Sequence, residues 1–189
     1  MSPPRWPGTP WGGLIALRVA LEFPRRAYHL VLVDTAGLGR EVSVFLRLAS
    51  LPFLGEIIED PSPKGTRGML KVVLFSDDLI TEELVEELVR ARSSPGAKRA
   101  VLRMLRRGVG LRGIRPEHWL QGRIRELSMP VLLVWGEQDR VFPVDQARRA
   151  AQMSPSAQLV VFPECGHWPQ MEHAAAFNSL LVGFLNQPA

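Results

Sequence analysis

Three short apolar runs, residues 30–33, 131–135 and 159–162, constrain this chain more than anything else in it. A strand with one wet face alternates apolar and polar residues. These runs do not alternate, so they suit strands buried on both faces, as in a parallel sheet covered by helices. Helical patterns fill the intervals. Residues 12–24 read as a mostly buried helix stopped by Pro24, 143–153 as a second helix and 172–185 as a closing one. The expected order is therefore strand and helix in alternation, an α/β fold with parallel strands.

Between the first and second runs the chain changes character. Helical patterns dominate at 42–51, 68–75, 81–91 and 98–107, punctuated by Pro61-Ser62-Pro63 and Ser93-Ser94-Pro95-Gly96. Thr81 followed by Glu82 and Glu83 marks a helix start, with Thr81 as the N-cap. Residues 37–120 are thus expected as a helical insertion, and 12–36 together with 121–189 as the core. Residues 1–11, with four prolines among the first ten, form an irregular start that we read as non-native.

Composition excludes several classes. The 189 residues, 46% hydrophobic and 22% charged, describe an ordinary globular domain. No apolar stretch approaches the ~20 residues of a membrane helix, so no membrane partner is expected and the chain reads as cytoplasmic. Cys165 is the one cysteine, and no Cys/His spacing suggests a metal. No cofactor is expected either. The net charge of +4 arises largely from arginines between Arg90 and Arg125. With no aromatic residues interleaved up to Arg115, these read as a solvated helical surface and not a nucleic-acid site.

Two loops carry the chemistry. Gly136-Glu137-Gln138-Asp139-Arg140 follows the second run, and Pro163-Glu164-Cys165-Gly166-His167-Trp168 follows the third. Open α/β sheets bind ligands beyond the carboxyl ends of their strands. An aspartate and a histidine at the same end of neighbouring strands can meet, the acid fixing the imidazole tautomer and stabilising the imidazolium. Trp168, beside the base, either walls a substrate pocket or packs as core. Cys165 reads as packing. His29, His118 and His173 have no motif around them.

On these residues the chain resembles the α/β-hydrolase family from Gly12 onward. WGEQDRVFP looks like its strand-plus-acid segment, ECGHWPQMEHAAAFNSLLVGFL like its histidine loop and last helix, and GGLIALRVALEFP like the helix after its nucleophile. The resemblance implies that Asp139 is a triad acid, His167 the general base, and residues 37–120 a helical cap. It also implies a larger parallel sheet whose N-terminal strands are missing here. The pattern HW(x)Q(x)EH(xxx)FN with SDDLITEEL is most similar to hydrolases that cleave carbon–carbon bonds of ring-fission products. In those, a cap arginine contacts the acidic substrate. The aligned position here is Leu88, with Arg90 and Arg92 nearby.

The family nucleophile sits in a G-x-S-x-G elbow ahead of that first helix. Here the elbow reads Gly8-Thr9-Pro10-Trp11-Gly12, with Pro10 in the place of serine. Proline offers no nucleophile, although the Trp11 backbone N–H can still donate to an oxyanion. The genetic code suggests an origin. Codons for Gly-Thr-Pro-Trp-Gly, read one nucleotide earlier, can spell Gly-(His or Asn)-Ser-(Leu or Met)-Gly. The expectation is a truncated or frame-shifted hydrolase of an ester or carbon–carbon bond, inactive as it stands, with a small-molecule substrate. The alternative is a non-catalytic binding protein using the cap and the sheet edge. An unpaired edge would also favour self-association.

Overall fold

The computed structural model describes residues 10–187. Helix α1 (Pro10–Glu22) leads through a short 3₁₀ turn to strand β1 (Leu30–Val33). Five helices follow: α2 (Val44–Ala49), α3 (Leu54–Ile58), α4 (Pro63–Val73), α5 (Glu82–Arg92) and α6 (Ala97–Gly108). A small hairpin, β2 (Val109–Gly110) with β3 (Gly113–Ile114), closes that segment. The chain then runs through β4 (Val131–Gly136), α7 (Asp145–Met153), β5 (Ala157–Phe162), α8 (Pro169–Glu172) and α9 (Ala174–Leu185).

The three apolar runs are the three strands of one parallel sheet, in the order β1-β4-β5. All six residues of β4 are buried, as its central place demands. Side chains alternate across a strand, and the two faces feed two cores. Leu133 and Trp135 of β4 join Leu30 and Leu32 of β1 in the larger core, with Leu14 and Leu17 of α1 and Ala147 and Ala150 of α7. Leu132 and Val134 face the other way and pack with Phe177 and Phe184 of α9. Each fully buried side chain of this size contributes about 1.5–3 kcal/mol. Helices on both faces explain why the runs do not alternate.

Residues 37–120 add no strand to this sheet. Their helices share the larger core through Leu70, Val73, Val85 and Leu105. Start signals read from sequence are realised at α5, where the Thr81 hydroxyl accepts the Leu84 N–H at 3.2 Å. Elsewhere boundaries shift. The helix expected over 42–51 is shorter, covering 44–49 as α2, and α3 is a further helix that follows Phe53, whose φ is a positive 67°. The expected 68–75 helix starts earlier, at Pro63, where Ser62 caps it. The hairpin β2–β3 was not foreseen. It turns at Gly113, whose φ of 106° suits glycine, and a Cβ there would lie 2.1 Å from the Arg40 carbonyl oxygen.

The irregular start expected for residues 1–11 lies outside the described residues up to residue 9. Its last two positions differ from expectation: Pro10 and Trp11 are helical and open α1. Proline suits a first helical position, because its missing N–H has no intrahelical partner to lose. Among the described residues β1 and β5 are edge strands, each hydrogen-bonded to β4 alone. Ile15 and Val19 of α1, and Phe23 just after it, are exposed. No helix among the described residues is long and apolar enough to cross a membrane.

Gly136 ends β4 against the histidine loop, where a Cβ would stand 1.8 Å from the Gly166 carbonyl oxygen and 2.6 Å from that of Cys165. Both are backbone atoms and cannot swing aside. Gly136→Ala is therefore expected to cost about 3 kcal/mol, read as a lowered urea midpoint at unchanged slope.

Candidate active site

The acid loop and the histidine loop prolong the β4–β5 pairing beyond the strands. Glu137 N–H donates to the Phe162 carbonyl at 2.9 Å, and Gln138 N–H to that of Cys165 at 2.9 Å. The Gln138 side-chain oxygen accepts the Cys165 N–H in return, at 3.0 Å. Asp139 then folds back over its own loop: one carboxylate oxygen, Oδ1, accepts the N–H groups of Val141 (2.7 Å) and Phe142 (3.1 Å). This is the side-chain turn that aspartate forms readily. It leaves Oδ2 pointing away, and Oδ2 meets His167 Nδ1 at 2.9 Å.

The two residues expected as acid and base are therefore brought together, and both are buried. A carboxylate only accepts, so Nδ1 carries the proton and Nε2 is left as the basic nitrogen. The Phe142 ring stands 5.7 Å from the imidazole, centroid to centroid. The His167 N–H donates to the Val73 carbonyl at 2.7 Å, tying the base to the end of α4.

Three side chains that hold the surroundings of this pair escaped sequence reasoning. Gln138 is the first, through its exchange with Cys165. Glu172 is the second: its Oε1 accepts the Gly166 N–H (2.8 Å) and the Trp168 N–H (3.4 Å), while Oε2 accepts the Phe75 N–H at 2.7 Å. One carboxylate thus holds the histidine loop and the segment after α4 in a common frame. The signal was an acid four residues after Trp168, closing the single turn of a short helix.

Asp34 is the third. It follows β1 with a positive φ of 41° and is 1% exposed. Its Oδ1 accepts the Gly136 N–H at 3.0 Å, whereas Oδ2 has no hydrogen-bond partner among the described residues. Burial, and then the neighbouring Asp139 carboxyl, push Asp34 well above the usual carboxylate range, against the pull of the Gly136 N–H. Ligating atoms of Asp34, Asp139 and His167 all lie within 4.8 Å of one another.

The remaining expectations are placed as follows. Trp168 is buried in the larger core, next to the base in sequence. The ring of Trp11 is buried against α6, where a Cβ on Gly108 would collide with it. The N–H of Trp11 belongs to the first turn of α1, where helix amides lack intrahelical partners. That helix start sits beside the end of β1, since the Pro10 carbonyl accepts the Ala36 N–H and the Thr35 hydroxyl, each at 3.1 Å. No arginine occupies the aligned cap position. Leu88 packs against the larger core, Arg90 is exposed, and Arg92 is committed to Glu59 (2.8 Å) and Thr66 (2.8 Å). Cys165 is fully buried, and burial, followed by Glu172, raises its thiol far above the ordinary range. Such a thiol is held in its protonated, poorly nucleophilic form, as expected for a packing residue.

Residues 8–174 match the model of the α/β hydrolase fold family. The chain is 35% identical over 180 residues to a 2-hydroxy-6-oxononadienedioate/2-hydroxy-6-oxononatrienedioate hydrolase of Comamonas testosteroni, covering 94% of this chain and 61% of that protein. It is 33% identical over 180 residues to a 2-hydroxy-6-oxo-6-phenylhexa-2,4-dienoate hydrolase of Burkholderia cepacia, again covering 94% and 61%. Among solved structures, a meta-cleavage product hydrolase from Pseudomonas fluorescens superposes with a TM-score of 0.76 at 28% identity, over 95% of this chain and 63% of that one. The chain therefore spans about three fifths of the length of these relatives.

The Glu172 carboxylate is expected to govern how firmly the histidine loop closes. Glu172→Ala leaves the N–H groups of Gly166 and Phe75 without their acceptor, at about 1–3 kcal/mol each where the group is buried. Faster amide hydrogen exchange at Gly166 and Phe75, with the centre of β4 unchanged, is the expected result. The thiol of Cys165 is expected to resist iodoacetamide in the folded chain and to react fully in denaturant.

Proposed function

The chain belongs to the α/β-hydrolase fold family, and from that premise we propose that it carries the acid and base of a Ser-His-Asp hydrolase. In this reading His167 takes the proton from an attacking serine hydroxyl and returns it to the leaving group. Asp139 holds the imidazole with Nδ1 protonated and balances the imidazolium charge. The observation that carries the reading is the buried 2.9 Å contact between His167 Nδ1 and Asp139 Oδ2, beyond the carboxyl ends of adjacent parallel strands. A histidine packed for structure alone needs no carboxylate whose other oxygen is fixed by two backbone N–H groups.

The serine is not at its expected place. Pro10 opens α1 beside the end of β1, where the family elbow would present its nucleophile. The Trp11 N–H would be one oxyanion donor, and Trp168 would wall the substrate site from the histidine loop. On this reading the chain is a truncated or frame-shifted form of an active parent. The parent's substrate is a small molecule with an ester, or with a carbon–carbon bond flanked by carbonyls. The relatives' names favour the second class. The commitment of Arg92 to Glu59 and Leu88 at the aligned cap position leave the acidic-substrate contact without its arginine. A second reading is a binding protein that keeps the fold without turnover, and it is favoured by β1, which among the described residues is hydrogen-bonded to β4 alone. That reading includes self-association through the edge, visible in sedimentation as a concentration-dependent mass.

Mixed with p-nitrophenyl acetate, the chain is expected to release no stoichiometric burst of nitrophenol. A burst with a trapped acyl group on any residue would overturn the assignment of Pro10 to the nucleophile's position. A ring-fission dienoate that raises the melting temperature of wild type but not of His167→Ala would support the hydrolase site. Equal stabilisation of both would favour the binding reading.

A further inference from the structure

Two carboxyls and an imidazole share one buried space at the ends of β1 and β4, and only one of the two carboxyls touches the imidazole. Asp139 is fully used: Oδ1 accepts two backbone N–H groups and Oδ2 the histidine. Asp34 is half used. Its Oδ1 holds the Gly136 N–H, and among the described residues its Oδ2 is buried without a partner. An ionised oxygen left bare in a dry site is costly. Two adjacent buried carboxylates cannot both stay ionised cheaply, because each disfavours the charge of the other. The backbone supports the arrangement, since Asp34 keeps a left-handed φ of 41° that a non-glycine residue rarely adopts without some compensating contact.

We propose that Asp34 is a positioning residue of the Asp139–His167 pair, its carboxyl holding a proton that faces Asp139, so that the two acids present one negative charge to the imidazole and not two. The other titratable groups packed on this space are Cys165 and Glu172, both from the histidine-loop side. Glu172 is occupied by Gly166, Trp168 and Phe75, and its charge, like that of Asp139, opposes ionisation of Asp34. Among the groups that act most on Asp34, the Gly136 amide is the one that favours its ionisation. The consequence for the site is a fixed charge. With the proton in place, His167 works against a single carboxylate, and the Gly136 amide at the end of β4 is held by the same residue that carries the proton. The catalytic meaning of this rests on the hydrolase reading, but the proton is measurable without turnover, so the two can fail separately.

The unfolded aspartate titrates near 3.9, and the folded Asp34 lies well above its ordinary value. Between the two the folded chain binds the extra proton. Stability therefore falls as pH rises through that window and is flat beyond it. Asp34→Asn keeps the Oδ1 acceptor for Gly136 and an N–H donor toward Asp139, but cannot ionise. The melting temperature of wild type is expected to fall relative to Asp34→Asn by roughly 3–5 °C per pH unit in the window above about pH 4. Parallel profiles would overturn the proposal. Infrared spectra of wild type at neutral pH, with 13C-labelled aspartate, provide a reading that does not depend on the variant folding. A protonated carboxyl band is expected there, and its absence overturns the proposal.

Discussion

The pairing of β4 with β5 does not stop where the strands end. It continues through Glu137 and Gln138 to Cys165, and this continuation is what the site depends on. A parallel ladder fixes two strands in register, but the loops beyond it are ordinarily free to diverge. Here the reciprocal bonds between Gln138 and Cys165 carry the register two residues farther. Asp139 and His167 then meet as a matter of geometry, each a fixed distance past a fixed strand end.

Around that extension the rest of the molecule acts as a clamp. Gly136 must lack a side chain so that the histidine loop can cross it, and Gly166 must lack one so that the loop can reach the end of α4, where a Cβ would stand 2.3 Å from the Val73 carbonyl oxygen. Glu172 then closes the other side by accepting from both the loop and Phe75. The helical segment between β1 and β4 is thus wired directly to His167. Movement of α4 relative to the sheet would be felt at His167 through the 2.7 Å bond to Val73.

Much of this was legible in the sequence for a simple reason: patterns with a fixed period survive without an alignment. The three unbroken apolar runs became the three strands, and the loops that follow two of them brought Asp139 and His167 together. Thr81 capped its helix because a hydroxyl beside two acids can do little else there. What escaped detection was set by long-range packing. Asp34 sits at the end of a strand in a turn, where an aspartate is unremarkable until Asp139 arrives from more than a hundred residues away. Glu172 and Gln138 act through backbone N–H groups, which leave no side-chain signature. The helix after Phe53 and the hairpin at Gly113 involve close backbone approaches, of Gly55 to Ala49 and of Gly113 to Arg40, that no periodicity records. The boundary at Pro10 was misplaced by two residues because proline was treated as a breaker where it serves as a first helical residue.

The central claim is that Asp139 and His167 form a buried pair with the proton on Nδ1. Nitrogen-15 NMR of histidine-labelled protein tests it most directly. A slowly exchanging, downfield proton attached to Nδ1 of His167 is predicted, present in wild type and lost in Asp139→Ala. A proton on Nε2 instead, or an Nδ1 proton that persists unchanged in Asp139→Ala, would contradict the account.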